Sequence, residues 1–357
     1  MRRIKMGMVG GGEGAFIGAV HRIAANIDGQ IELACGAFSS TAERSLASGQ
    51  ALHLPEERCY PDFDTMMNCE AALPEWERMD FVAIVTPNHL HFPVAKSALE
   101  KGFHVMSDKP ATFSVQEAVE LRELVKATGL LYGLTHTYTG YPLVKEARQR
   151  VAAGELGKIR KVVVEYSQGW LAGREEDEDN KQADWRLDPE RSGVSSCMGD
   201  IGVHAANLAE YVCGLKITEM CAELTSFVEG RTLDDDGSIL LRFNNGARGV
   251  LMASQISVGE ENALRIRAYG EHGSLEWSQQ EPNSLWLKWS DKPTQMLRTS
   301  GGYLSEYADA NSRTPGGHPE GYLEAFANHY RNFAAQISAR MNNSAINAIA
   351  NDLPGID

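Results

Sequence analysis

Five short apolar runs in the first 136 residues, alternating with helix-period stretches, restrict what this chain can fold into. The runs lie at 4–9, 31–38, 81–86, 103–107 and 130–135. "FVAIVT" at 81–86 is apolar on both alternating faces until Thr86, the pattern of a strand covered on both sides. Helical patterns at 19–27, after 39, at 91–102 and at 115–129 separate the runs. Ser40 with Glu43 and Ser114 with Glu117 carry capping-box spacing, and Gly49, Gly102 and Gly129 stand where those helices stop. Strands joined through helices are parallel, so residues 1–136 read as a doubly wound α/β domain.

The texture then changes. A helix is expected at 142–153, closed by Gly154, then a strand at 161–167 and a helix at 198–213 ending at Gly214. From there to about residue 290 the chain is mostly strands, with Asn244-Asn245-Gly246 as a hairpin turn. Consecutive strands of this kind predict an open-faced, mostly antiparallel sheet, an α+β domain over 137–357. Near the end Leu323, Phe326, Tyr330, Phe333 and Ile337 return to helical spacing.

With 357 residues the chain has room for two cores, and a net charge of −14 sets nucleic acid and anionic membranes aside as main partners. That charge leaves room for an anionic cofactor, which backbone amides hold well. Six cysteines without a C-x-x-C pair read as reduced thiols of a cytoplasmic protein, and no spacing suits a metal. No apolar run reaches the ~20 residues of a membrane span, and no export signal follows Arg2 and Arg3. The acidic "REEDEDN" at 174–180 reads as a solvated, mobile loop.

Chemistry concentrates at four places. "MVGGGEGAFIGAVHR" (8–22) follows the first strand and brings glycines to a helix start, where amides approach a pyrophosphate. Gly10 and Gly12 supply the tight turn and close approach. Gly18 is expected to open the helix, with 13–17 as an insertion that holds Ala15. "TPNHLH" (86–91) and "SDKP" (107–110) each lie just past a strand's carboxyl end, where open α/β sheets bind ligands. "MGDIGVHAANLAEYVCG" (198–214) sets Asp200 and His204 four residues apart on one helical face, beside an apolar face of Ile201, Ala205, Leu208 and Val212.

Together these motifs resemble the glucose–fructose oxidoreductase/inositol dehydrogenase (Gfo/Idh/MocA) family over nearly the whole chain. Further matches are "GELGKI" (154–159), "WRLDP" (185–189) and "GGHPEGYLEAFANHYRNF" (316–333). The resemblance implies a Rossmann domain followed by an open-faced sheet that packs subunits into homodimers or homotetramers. It implies an NAD(P)-dependent oxidoreductase acting on a sugar, cyclitol or related polyol. One branch of the family consists of cofactor-recycling glycosidases, and a non-catalytic nucleotide- or sugar-sensing regulator on the same fold is a further alternative.

Lys109, Asp200 and His204 are the catalytic set the resemblance implies. Histidine starts near ~6.5 and works as a base without adjustment, whereas bringing a lysine from ~10.4 to 7–8 costs roughly 3–4 kcal/mol. His204 is therefore expected to take the hydroxyl proton, Lys109 to hold the reacting oxygen, and Asp200 to orient substrate or Lys109. Gly10, Gly12, Phe16, Ile17, Gly18, Thr86, Asn88, His91, Asp108, Lys109, Trp185 and Arg186 are expected around the cofactor. Tyr138 and Arg186 are expected to join Lys109, Asp200 and His204 at the substrate. Asp108 stands where members usually carry Glu, "TYTGYP" lacks an arginine many members place before Pro142, and the chain closes on "NDLPGID" where members usually continue with another helix.

The nucleotide is read at the end of the second strand. NAD-selective domains place an acid there for the ribose diol, but this chain has Ser39, followed by Ser40, Thr41 and Arg44. Hydroxyls and a guanidinium suit a 2′-phosphate, which puts NADP ahead of NAD.

Overall fold

A computed structural model describes residues 2–177 and 180–356. The chain divides into two compact units, residues 1–136 with 326–357, and residues 137–325.

In the first unit β1 (Ile4–Gly10), α1 (Phe16–Asn26), β2 (Ile31–Ala37), α2 (Ala42–Ala51), α3 (Phe63–Ala72) and β3 (Phe81–Val85) follow in order. Then come α4 (His91–Glu100), β4 (His104–Ser107), α5 (Val115–Thr128) and β5 (Tyr132–Leu134). All neighbours pair in parallel in the order β2-β1-β3-β4-β5, the doubly wound sheet expected from the alternation. Every residue of β3 is buried, as its continuous apolarity requires. Gly10 pairs with Val85, so the loops after β1 and β3 leave the sheet side by side, where the strand order reverses. Ser114 and Glu117 form the full capping box of α5, and Gly129 closes that helix in the left-handed conformation.

The second unit carries β6 (Lys161–Ser167) after α6 (Pro142–Ala152), then the short α7 (Lys181–Arg186) and α8 (Pro189–Ser192) and the longer α9 (Val203–Cys213). Strands β7 (Ile217–Thr225), β8 (Asp236–Phe243), β9 (Arg248–Ser254), β10 (Ala263–Tyr269), β11 (Gly273–Ser278), β12 (Ser284–Trp289) and β13 (Gln295–Arg298) complete it, with α10 (Glu306–Ala310) after them. The eight-stranded sheet runs β13-β12-β11-β10-β6-β9-β8-β7 and is antiparallel except where β6 meets β9. One face of this sheet packs Val162, Val164, Leu251, Leu264, Ile266 and Trp277 into a core with Leu143, Val144, Ala205 and Leu208 of α6 and α9. The opposite face leaves Leu240, Met252 and Trp286 exposed.

The closing helix α11 (Tyr322–Met341) changes the domain boundary read from sequence, which gave all of 137–357 to the second domain. Its residues from Phe326 onward belong with the first unit, where Phe333 packs edge-on against Phe81 of β3 at 5.2 Å. The tail follows: Leu134 at the sheet edge donates its N–H to the Pro354 carbonyl (2.8 Å), and Gln336 donates to Ala350 (2.8 Å). A helical stripe predicts a buried face but does not say which core receives it. Among the described residues, no helix is long and apolar enough to cross a membrane.

Candidate functional site

Three glycines shape the loop after β1 by what they exclude. Gly10 and Gly11 have φ of +81° and +68°, the left-handed region glycine alone enters freely. A Cβ at Gly12 would lie 2.7 Å from both the Phe38 carbonyl and Ser48 Oγ. The Gly12 N–H donates to Phe38 O (3.2 Å) and the Glu13 N–H to Ser48 Oγ (3.1 Å), tying the loop to the end of β2 and to α2. Helix α1 begins at Phe16 with Ala15 as its N-cap, and Ala15 supplies no side-chain cap, so the first-turn amides face outward with the positive end of the helix dipole.

This revises the expected role of Gly18. It does not open the helix; it lies in the first turn of α1, pressed against the backbone of Gly11, where a side chain has no room. Phe16 is exposed and Ile17 half-buried in the same turn. Close packing of loop on helix with uncapped amides is a cradle that fits a dinucleotide pyrophosphate.

Beyond β2, Ser40, Thr41 and Arg44 are exposed and Ser39 is half-buried. The expected Ser40–Glu43 capping box is absent: Thr41 is the N-cap of α2 and makes no side-chain cap. The hydroxyls of this turn are therefore not consumed by capping.

Thr86, Asn88 and His91 follow β3, with Asn88 and His91 buried. His91 places Nδ1 at 2.6 Å from the Pro110 carbonyl and Nε2 at 2.9 Å from the Thr86 carbonyl. A neutral imidazole carries one N–H and donates to one of these carbonyls at a time, so the ring sits between the two loops as a brace rather than aimed at a ligand. Burial lowers the His91 pKa below its ordinary value.

Asp108 and Lys109 follow β4. The Asp108 carboxylate accepts from the Lys109 N–H (2.8 Å) and from Thr135 Oγ1 (2.9 Å), shaping the loop that presents the half-buried Lys109. Its second oxygen lies 3.9 Å from Nε2 of His21, a fully buried histidine of α1 whose Nδ1 meets the Tyr330 hydroxyl at 2.6 Å. Burial pushes His21 down to about 4. Burial does the same to His136, helped by the Lys109 charge, and brings it to about 4. Neither histidine was a site candidate from sequence; "GAVHR" contained His21, but its partner Tyr330 is 309 residues away.

The second unit holds the other candidates. Residues Met198–Gly202 form a wider π-turn in which the Val203 N–H reaches back to the Met198 carbonyl, and α9 continues from it. Asp234 supports this start, its carboxylate accepting from Ser196 N (3.0 Å) and Met198 N (2.8 Å). Ile201, Ala205, Leu208 and Val212 are buried as expected. Asp200 Oδ2 accepts from Arg186 Nε (3.1 Å) and Gln255 Nε2 (3.0 Å), and the Arg186 guanidinium lies 4.3 Å over the Trp185 ring.

His204 is buried, with the Tyr138 ring edge-on at 4.9 Å and the Tyr166 ring tilted at 6.3 Å. The two tyrosine hydroxyls meet in a short hydrogen bond, and Tyr166 donates to Asn262 Oδ1 (2.7 Å). Burial raises both tyrosines, so they remain protonated donors. The structure thus brings together Trp185, Arg186 and Asp200, and separately Tyr138 and His204. Sequence reasoning missed Gln255, Tyr166 and Asn262, none of which sits in a motif.

The acidic run at 174–180 is not simply solvated. Buried Arg231 donates to Glu176 Oε2 (3.0 Å), to the Leu171 carbonyl (2.7 Å) and to Asp235 (3.4 Å). Glu178 and Asp179 of that run lie outside the described residues.

Two family models match the sequence: "Oxidoreductase family, NAD-binding Rossmann fold" over residues 4–136 and "GFO/IDH/MocA C-terminal domain" over 144–276. An uncharacterized oxidoreductase of Bacillus subtilis (strain 168) is 34% identical over 359 residues, covering 99% of this chain and 90% of the relative. The crystal structure of an inositol dehydrogenase homolog from Azotobacter vinelandii complexed with NAD+ aligns with a TM-score of 0.93 and 35% identity, over 100% of this chain and 91% of that one. The same homolog complexed with NADH and myo-inositol aligns at 0.91 and 34%, with coverage of 100% and 91%.

Proposed function

The chain belongs to the Gfo/Idh/MocA family of NAD-binding oxidoreductases, and from that premise we propose that it interconverts a secondary alcohol and a ketone on a cyclitol, sugar or related polyol. The observation that carries the reading is His204 packed against Tyr138, with Asp200 clamped by Arg186 one turn earlier on the same helical segment. A titratable imidazole, a fixed carboxylate and hydroxyl donors are the groups that bind and deprotonate a polyhydroxylated substrate.

Bound nicotinamide supplies the hydride acceptor or donor, which no side chain can provide. Gly10, Gly12, Phe16, Ile17 and Gly18 would hold its pyrophosphate, with Thr86 and Asn88 on the neighbouring loop. His204 takes the hydroxyl proton during oxidation, the acceptor role that an imidazole ring nitrogen can fill. Lys109 holds the reacting oxygen with its ammonium, and Asp200 orients the hydroxyl through a hydrogen bond. Tyr138 and Arg186 contribute to binding the polyol, the latter through Asp200.

NADP(H) is the preferred cofactor in this reading. The support is the exposed Ser40, Thr41 and Arg44, whose hydroxyls and guanidinium suit a 2′-phosphate, with no capping bond competing for Ser40 or Thr41. The exposed face of the eight-stranded sheet, with Leu240, Met252 and Trp286, supports a homodimer or homotetramer formed through it.

A screen of cyclitols, aldoses and keto-sugars with both cofactors, read by nicotinamide absorbance, tests the activity. Turnover of at least one is expected, and total inactivity would overturn the reading. Lys109→Met and His204→Ala are each expected to lower kcat about 100-fold or more. Near-normal turnover in both, with nicotinamide still bound, would remove the assigned roles. Parallel titrations with NAD(H) and NADP(H) test the preference, which fails on equal or tighter NAD(H) binding.

A further inference from the structure

We propose that Gln255 is a positioning residue for Asp200, its side-chain amide fixing that carboxylate. The inference rests on the reading of Asp200 as part of a polyol dehydrogenase site. Gln255 directly follows β9 and is fully buried. Its backbone is pinned on both sides: its N–H donates to the Asp235 carbonyl (2.9 Å), and its carbonyl accepts from the Leu171 N–H (3.0 Å). Asp235 and the 171–173 turn are themselves gathered by Arg231. The side chain therefore projects from a rigid knot of three segments.

What it does there is narrow. Its Nε2 donates to Asp200 Oδ2 at 3.0 Å, while its Oε1 is buried without a hydrogen-bond partner among the described residues. Burying an amide whose oxygen meets no partner among the described residues is unfavourable. The Asp200 bond is the one return on that cost. Nε of Arg186 and Nε2 of Gln255 converge on the same oxygen, which fixes the carboxylate by two donors from different segments.

Charged and titratable groups around Asp200 in this unit include Arg186, Tyr138, Tyr166, Cys197 and, four residues on along the same segment, His204, with Asp234, Asp235 and Asp236 acting on Cys197. Gln255 contributes no charge to this set, so Gln255→Met removes the donor to Asp200 without changing charge, while Gln255→Glu removes it whenever the new carboxyl is ionised.

Two substitutions separate positioning from structure. Gln255→Met is expected to stay folded with a Tm within a few degrees of the parent's while kcat falls about 10- to 100-fold, the effect of losing a hydrogen bond to a charged group. KM is expected to stay within about threefold, because the fixed carboxylate matters most at the transition state. Gln255→Glu, nearly isosteric, donates to Asp200 only when protonated. Its kcat relative to the parent is therefore expected to recover as pH falls from neutrality. A Gln255→Met kcat within twofold of the parent, or a Gln255→Glu pH profile parallel to the parent's, overturns the proposal. Should Gln255→Met fail to fold, the Gln255→Glu profile decides alone.

If the parent turns over no polyol with either cofactor, the dehydrogenase reading has failed, and the contact is judged without activity. Gln255→Glu should then lower Tm more as pH rises, and Asp200→Asn should remove most of that pH-dependent part. An undiminished penalty in the Asp200→Asn background overturns the clamp.

Discussion

Replacing Gly18 with alanine sets two opposing effects against each other. In the interior of an α-helix alanine is favoured over glycine by about 1 kcal/mol, so propensity alone predicts stabilisation. Gly18 lies in α1, and a Cβ there would lie 2.7 Å from the Gly11 carbonyl carbon and closer still to its Cα and oxygen. Ordinary contact begins at 3.4 Å, so loop and helix must separate by at least 3.4 − 2.7 = 0.7 Å. Both partners are backbone, so no rotamer change relieves the overlap, and the cost falls at the upper end of the ~1–3 kcal/mol range for overpacking. The net is destabilisation of about 2 kcal/mol, or a fall in Tm on the order of 4–8 °C for a unit of this size. Because the displaced backbone belongs to the proposed phosphate cradle, dinucleotide affinity is expected to fall about tenfold or more in the same variant. Gly129→Ala is the control: its φ is +64° and nothing lies within 4 Å of the added carbon. It should cost about 1–2 kcal/mol of backbone strain and leave cofactor binding unchanged. Thermal melting and dinucleotide titration of both variants check this. A Gly18→Ala protein that melts at or above the parent and binds with the parent's affinity would refute the argument.

Three further outcomes follow from other parts of the molecule. His21 is fully buried and pushed down to about 4, against ~6.5 in the unfolded chain. Its neutral form is the one the fold accepts. The stability it contributes is complete above ~6.5 and lost as pH falls from there toward 4, about 3 kcal/mol in all. Urea midpoints measured across that window should drop with acid, and His21→Gln should flatten the slope. Glu70 is buried and accepts from Arg58 Nε (2.9 Å) and Nη2 (2.8 Å), Tyr60 OH (2.8 Å) and Met79 N (2.9 Å). Glu70→Ala leaves the guanidinium partly buried and unpaired, and denaturant unfolding should show a loss of about 3–5 kcal/mol. On the exposed sheet face through which an oligomer is proposed, Leu240→Asp should shift that proposed oligomer toward monomer in sedimentation velocity at unchanged Tm of the subunit core. An unchanged sedimentation coefficient would remove that face as the interface.

The parts of this structure that were readable in sequence are those whose cause is local. β3 announces itself because a strand covered on both faces needs apolar side chains at every position, and "FVAIV" supplies them. Ser114 and Glu117 cap α5 because both partners of the capping box lie within one turn. The same spacing at Ser40 and Glu43 produced no box, because the helix started one residue later with Thr41 at its cap. Spacing admits a cap, and the entry angle of the chain from β2 decides whether it forms. Gly18 was misassigned for a related reason. Glycine spacing shows that backbone comes close to something, while only the packed structure shows that the something is Gly11. His21 with Tyr330 and Gln255 with Asp200 had no signature at all, since a contact between residues 309 or 55 apart leaves no periodicity in either segment. What such residues share is physical, a polar group buried where an apolar one would pack at lower cost. The burial of the Gln255 side chain, its Nε2 on Asp200 and its Oε1 without a partner among the described residues, is thus informative in a way its sequence position was not. Among the described residues its side chain bonds to Asp200, and that is the neighbour on which its proposed role acts.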